Sequence, residues 1–101
     1  MVKEINKDNF KESLKGKCVV DFFATWCPPC RMIAPIFEEL SEEMTDVSFY
    51  KVNIDENSNL AVENDVTHVP TLIVFEDEVP TNRVTGYIDK DKLKEFIGGS
   101  K

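Results

Sequence analysis

Apolar residues follow two rhythms along this chain, and the change from one to the other marks its elements. The run Cys18-Val19-Val20-Asp21-Phe22-Phe23-Ala24 is apolar at consecutive positions except for one carboxylate, which predicts a strand buried on both faces. From Arg31 to Met44 the rhythm becomes helical, with Ile33, Ile36, Phe37, Leu40 and Met44 falling roughly on one face. Pro35, inside that stretch, removes one backbone donor and is expected to kink the helix. Val47 to Asn53 reads as another strand, extending toward Asp55. Thr71 to Phe75 reads as one more, entered through Pro70.

The shorter elements follow from their end signals. Val2 to Ile5 predicts a short edge strand. Asn6 as N-cap and Gly16 as stop bracket a helix over Lys7 to Leu14, with Phe10 and Leu14 on one face. Asn57 or Ser58 can cap a short helix through Leu60, Ala61 and Val62. Glu76-Asp77-Glu78 predicts a turn, and Asn82 to Thr85 a final edge strand ending at Gly86. Asp89 is a good N-cap for a last helix, Lys90 to Ile97, with Ile88 and Leu93 paired as a hydrophobic staple. Gly98-Gly99-Ser100-Lys101 is expected to fray.

The elements alternate strand and helix in the first half, which favours parallel strands joined by crossover helices. The short connection between the last two strands favours an antiparallel hairpin. The expected class is α/β: one domain over residues 1–101, with a central mixed five-stranded sheet flanked by four helices on both faces. Cys18 to Ala24 belongs at the centre of that sheet.

Composition narrows the function. At 101 residues, 42% hydrophobic and 31% charged, the chain suits one packed core and not disorder. Nineteen acidic residues against twelve basic give a net charge of -7, which argues against nucleic acid and anionic membranes as partners. No apolar stretch approaches the roughly 20 residues a membrane-spanning helix needs. Met1-Val2-Lys3-Glu4-Ile5-Asn6 lacks the apolar core of a secretory signal. Three cysteines are too few for a disulfide-stapled scaffold and fit a reducing compartment, so the expected location is cytoplasmic.

The candidate chemistry lies in Trp26-Cys27-Pro28-Pro29-Cys30, between the central strand and the long helix. A helix N-terminus offers free N–H groups and partial positive charge, which lower a thiol's pKa and make it a nucleophile. A Cys-x-x-Cys pair can bind metal, be structural, or exchange disulfides. Tetrahedral zinc usually takes four protein ligands, and there is no second Cys-x-x-Cys or His pair here, so no metal is expected. Geometry favours exchange: Cys27 at or just before the first helical residue can expose its sulfur, and Cys30 lies on the same face one turn deeper. One sulfur attacks while the other waits within bonding distance.

Asp21, a carboxylate within an apolar strand, is expected to be buried with a raised pKa. It reads as a general base or acid for Cys30, directly or through a water, alongside an ion pair with Lys51 on the neighbouring strand. Cys18 reads as a small buried hydrophobe. By itself, Pro70 reads as an ordinary trans strand-entry proline.

Taken together, Trp26-Cys27-Pro28-Pro29-Cys30, Asp21 six residues before the first cysteine, Pro35 five after the second, and Val69-Pro70-Thr71 resemble the thioredoxin family. Lys51-Val52-Asn53-Ile54-Asp55 and Gly86, sixteen residues beyond Pro70, extend the resemblance over nearly the whole chain. It implies the thioredoxin fold, a cis Pro70 facing the two sulfurs, and a substrate groove of Trp26, Pro28, Pro29, Val69, Pro70, Gly86 and Tyr87. An extended peptide would lie there beside the Val69 backbone, in the manner of strand addition. It implies a protein-disulfide reductase with Cys27, Cys30, Asp21 and Lys51 as catalytic residues and no bound cofactor. The implied partners are disulfide-containing proteins and a thioredoxin reductase fed by NADPH or ferredoxin, with the chain acting as a monomer. The runners-up are a dedicated redox partner of exported or cytochrome-maturation proteins, and a non-catalytic interaction or metal-binding module.

Four positions depart from the family's usual pattern. Pro28 stands where glycine is common, so two prolines remove two N–H groups that could solvate the Cys27 thiolate. That raises the thiol pKa, whereas the stiffer loop favours the disulfide. His68 replaces a frequent glycine, where it can tune Cys27, meet substrates, or simply be exposed. Glu78 replaces a turn glycine, a matter of stability. Phe23 replaces a second tryptophan, leaving Trp26 as the only indole.

Overall fold

The computed structural model describes residues 1–98, so Gly99-Ser100-Lys101 of the expected frayed tail lie outside the described residues. Nine elements follow in the order β1 (Val2–Glu4), α1 (Phe10–Ser13), β2 (Lys17–Phe23), α2 (Pro28–Glu43), β3 (Ser48–Asn53), α3 (Ser58–Glu63), β4 (Thr71–Glu76), β5 (Val79–Thr85) and α4 (Lys90–Gly98). They form a mixed five-stranded sheet in the order β1-β3-β2-β4-β5. The pairs β1–β3 and β3–β2 are parallel, and β2–β4 and β4–β5 antiparallel. The expected mixed sheet with β2 at its centre is the one observed.

Because successive side chains of a strand point to opposite faces, β2 feeds two cores. Val20 and Phe22 pack with Phe10 and Leu14 near α1, Leu60 of α3, and Ile73 and Phe75 of β4. Val19 packs on the other face with Ile33, Phe37 and Leu40 of α2 and Leu93 and Ile97 of α4. Asp21 follows Val19 by two residues and therefore lies on the face that α2 covers. The cap of α4 forms as expected, with Asp89 Oδ1 accepting from Lys92 N at 2.9 Å, and Ile88 packs against the cluster that holds Leu93. Lys90 of α4 reaches Glu43 of α2 at 2.6 Å.

Several boundaries differ from expectation: β1 ends at Glu4, β2 runs over Lys17–Phe23, Glu76 belongs to β4 and Gly98 to α4, and three larger differences have local reasons. The first helix is confined to Phe10–Ser13 and does not begin at Lys7. Asn6 Oδ1 accepts from Asp8 N and Asn9 Oδ1 from Asn6 N, both at 2.8 Å, so these side chains hold residues 6–9 as turns in competition with the helix. The long helix begins at Pro28, three residues before Arg31, because its first two positions need no N–H donor. β5 starts at Val79 instead of Asn82. Pro80 is tolerated because β5 is an edge, and the register shifts between Val74 and Phe75, leaving Thr81 as a bulge residue. At α3, Asn57 is the N-cap, but its side chain bonds Lys7 N and Asn53 O instead of capping the helix.

The hairpin between β4 and β5 turns through Asp77 (φ 50) and Glu78 (φ 74), both left-handed. Two such residues match the twist of a tight hairpin, where glycine is favoured. Asp77 Oδ1 accepts from Gly16 N at 3.0 Å and Lys15 Nζ donates to Glu78 at 2.8 Å, so both side chains bind back to the chain before β2. The left-handed backbone penalises any Cβ at position 78 whatever its side chain contacts. Glu78→Gly is therefore expected to be more stable than Glu78→Ala by about 1 kcal/mol, read as a difference in urea midpoints at equal m-value. Equal midpoints would show that the turn relaxes out of the left-handed region.

Candidate active site

The site is assembled at the start of α2. Cys27 is the N-cap, extended at φ -96 and ψ 111, followed by Pro28 and Pro29. With no N–H on either proline, Cys30 supplies the first amide of the helix, and it donates to Cys27 Sγ at 3.2 Å. Cys27 and Cys30 are joined as a disulfide with their Cα atoms 5.2 Å apart. Both cysteines are buried and cluster with Ala24, Phe23, Ile54 and Val69.

Opposite the disulfide, the Val69–Pro70 peptide is cis, and the Val69 carbonyl oxygen lies 3.6 Å from Cys27 Sγ. Hydrogen bonds hold this loop from both sides of the bend. Thr71 Oγ1 donates to the His68 carbonyl at 2.6 Å, and Gly86 N donates to the Pro70 carbonyl at 2.8 Å. Gly86 is left-handed at φ 92, which suits a residue without Cβ.

Trp26 projects beside the cysteines, 63% exposed, with Nε1 donating to Asp55 Oδ2 at 2.9 Å. An open groove of about 320 Å³ runs along it, lined by Trp26, Ile54, Val66, Thr67, His68 and Val69. Tyr87 is exposed just beyond Gly86, Pro28 is exposed, and Pro29 is half-buried. Of the expected groove residues, Trp26 and Val69 line this groove, and Pro28, Pro29, Pro70, Gly86 and Tyr87 are not among its lining residues. His68 is exposed, with its Nδ1 3.0 Å from Thr67 Oγ1.

Asp21 is 4% exposed, and its Oδ1 has no hydrogen-bond partner. Burial pushes its pKa up to about 7, and the Lys51 charge offsets part of that rise. Lys51 occupies the paired position on β3, but the expected ion pair does not form. Its Nζ lies 5.6 Å from the centroid of the Phe23 ring instead. Cys18 is fully buried as expected, and burial pushes its thiol up to about 11.

Sequence reasoning missed two anchors. Asp55 fixes the indole, and Thr71 ties the bend before β4. Thr71 carried a signal, since a hydroxyl just after Pro70 can reach back to a carbonyl; Asp55 carried none, because its contact joins residues 29 apart.

A Cys-x-x-Cys disulfide at a helix N-terminus, facing a cis-proline on a mixed sheet, defines a protein of thiol–disulfide exchange. The family model described as Thioredoxin matches residues 1–99. The chain is 47% identical to a thioredoxin of Chlamydia pneumoniae over 98 residues, covering 96% of each chain. It is 41% identical to a thioredoxin of Staphylococcus saprophyticus over 96 residues, covering 93% of this chain and 92% of that one. Its structure resembles the crystal structure of Malassezia sympodialis thioredoxin with a TM-score of 0.90 and 38% identity, over 100% of this chain and 92% of that one. The chain belongs to the thioredoxin family and has its fold; it is a protein dithiol–disulfide oxidoreductase, and the other readings of its cysteines are not favoured.

The buried carboxyl makes stability depend on pH. Asp21 ionises near pH 4 in the unfolded chain, at about its ordinary value, and at about 7 when folded. Between those values the native state keeps a proton that the unfolded state has released, so stability falls as pH rises through this window and is lowest above it. Asp21→Asn should flatten that slope and exceed the parent at alkaline pH by up to about 4 kcal/mol in urea denaturation. A stability difference that stays constant with pH would contradict the raised ionisation.

Proposed function

We propose that this chain reduces disulfides of other proteins in the cytoplasm and is recharged by a thioredoxin reductase, with residues 1–101 acting as a single monomeric domain. The observation that carries this reading is the Cys27–Cys30 pair at the start of α2, opposite the Val69 carbonyl. An unpaired, buried Cys18 suits a reducing compartment.

In the reduced protein, the Cys27 thiolate attacks one sulfur of a substrate disulfide. The substrate S–S bond breaks, its other sulfur leaves as a thiolate with the bonding pair, and a mixed disulfide remains. Asp21 then takes the proton of Cys30, for which a carboxyl that titrates at about 7 is well matched near neutral pH. The Cys30 thiolate attacks Cys27 Sγ, the intermolecular bond breaks, and the second substrate sulfur leaves. Two electrons have passed to the substrate, and the protein ends as the Cys27–Cys30 disulfide.

Several features support this assignment of roles. Cys27 is the nucleophile because the helix-start amide of Cys30 reaches its sulfur, stabilising negative charge there. Asp21 lies on the strand face beneath α2, and Lys51 on the adjacent strand tempers its burial. Trp26, Pro28, Pro29, Val69, Pro70, Gly86 and Tyr87 would surround a substrate chain laid in extended form against the Val69 backbone.

Reduction of insulin disulfides tests the reading. Cys27→Ser should abolish turnover, and Cys30→Ser should accumulate a mixed disulfide that dithiothreitol releases. Asp21→Asn should slow the resolving step by about 10- to 100-fold near neutral pH, and the deficit should shrink as pH approaches the thiol's own ionisation. Turnover by Cys27→Ser would end the proposal.

A further inference from the structure

Arg83 lies on the exposed edge strand β5, yet its guanidinium is committed to backbone. Nη2 donates to the Asn64 carbonyl at 2.7 Å and Nη1 to the Asp65 carbonyl at 3.2 Å. These carbonyls end α3, where a cation is favourable. The chain leaves α3 through a tight cap: Asp65 N donates to the Val62 carbonyl at 3.1 Å and Val66 N to the Ala61 carbonyl at 2.8 Å. That cap needs a left-handed residue, usually glycine, and here it is Asp65 at φ 56. A side chain there crowds the backbone, so the turn depends on outside support.

The next residues are Val66 to Val69, which wall the groove and carry the carbonyl opposite Cys27. The far end of the segment is held by Arg83 and its near end by Gly86, whose amide bonds the Pro70 carbonyl. Arg83 and Gly86 are three residues apart on and just past the same strand. β5 thus acts as a ruler that fixes the span of residues 64–70.

We infer that Arg83 is a positioning residue for the exchange reaction: by clamping the Asn64 and Asp65 carbonyls it sets the Val69 backbone where an extended protein substrate must pair. This rests on the strand-addition reading of the Val69 segment given above. A small disulfide that reaches Cys27 without lying along the segment does not need the clamp.

The test is single-turnover oxidation of the reduced protein, followed by Trp26 fluorescence, with insulin and with hydroxyethyl disulfide. Arg83→Met keeps the aliphatic stem and loses the donors. It should slow the insulin reaction about five- to tenfold and change the hydroxyethyl disulfide reaction by less than about twofold. Adding Asp65→Gly, which removes the left-handed cost, should restore most of the insulin rate. Arg83→Lys, able to reach only one carbonyl at a time, should fall between.

Equal slowing of both substrates by Arg83→Met, or no slowing of either, would overturn the inference. An insulin rate in Arg83→Lys equal to the parent's would do so as well, even if the Met variant fails to fold. Parent protein that reacts with hydroxyethyl disulfide but not with insulin would instead overturn the strand-addition reading on which it rests.

Discussion

Burial of β2 on both faces is the constraint from which the rest of the structure follows. Its residues Cys18 to Phe22 are covered by α1 and α3 on one side and by α2 and α4 on the other. A strand so enclosed leaves its C-terminal end as the place where chain and solvent meet. There the helix that must cover one face begins, and there the two sulfurs sit. The same enclosure explains Asp21. A carboxylate in that position is nearly cut off from solvent, its Oδ1 finds no donor, and burial pushes its pKa up to about 7. One strand therefore supplies the core, the origin of the helix that carries the cysteines and the buried carboxyl beneath it.

The double proline changes how the helix terminus serves the thiol. In an ordinary first turn several amides share the task of meeting an anion. Here Pro28 and Pro29 have none, and the Cys30 amide is the first donor, already directed at Cys27 Sγ. The electrostatic benefit is concentrated in one hydrogen bond donated by the second cysteine of the pair. The two cysteines are thus coupled through backbone as well as through sulfur.

Much of this was legible in the residues. The apolar run around Asp21, the helical spacing from Ile33 to Leu40 and the cap at Asp89 all depend on near neighbours, and each element formed as expected in type, with ends shifted by up to three residues. The cysteine pair was legible for the same reason, since its chemistry needs only three residues and a helix start. What the pattern hid was long-range. Lys51 was expected to pair with Asp21 but lies over Phe23, because an aromatic face on the next strand can hold a cation without desolvating it as an ion pair would. The cis bond at Pro70 came only by resemblance. Residues 6–9 form turns in place of the expected helix start because the side-chain bonds of Asn6 and Asn9 to nearby amides have no periodic signature.

The two margins of the sheet are poorly suited to recruiting another chain. β1 has only three residues, and β5 is broken by Pro80 and by the bulge at Thr81. A rim so interrupted offers no long row of free amides and carbonyls along which copies could stack into aggregates. A protein that exchanges disulfides with other proteins, whose own strands can seek partners, gains from this blunting. Edges of this kind give a sticky client nowhere to remain once exchange is over.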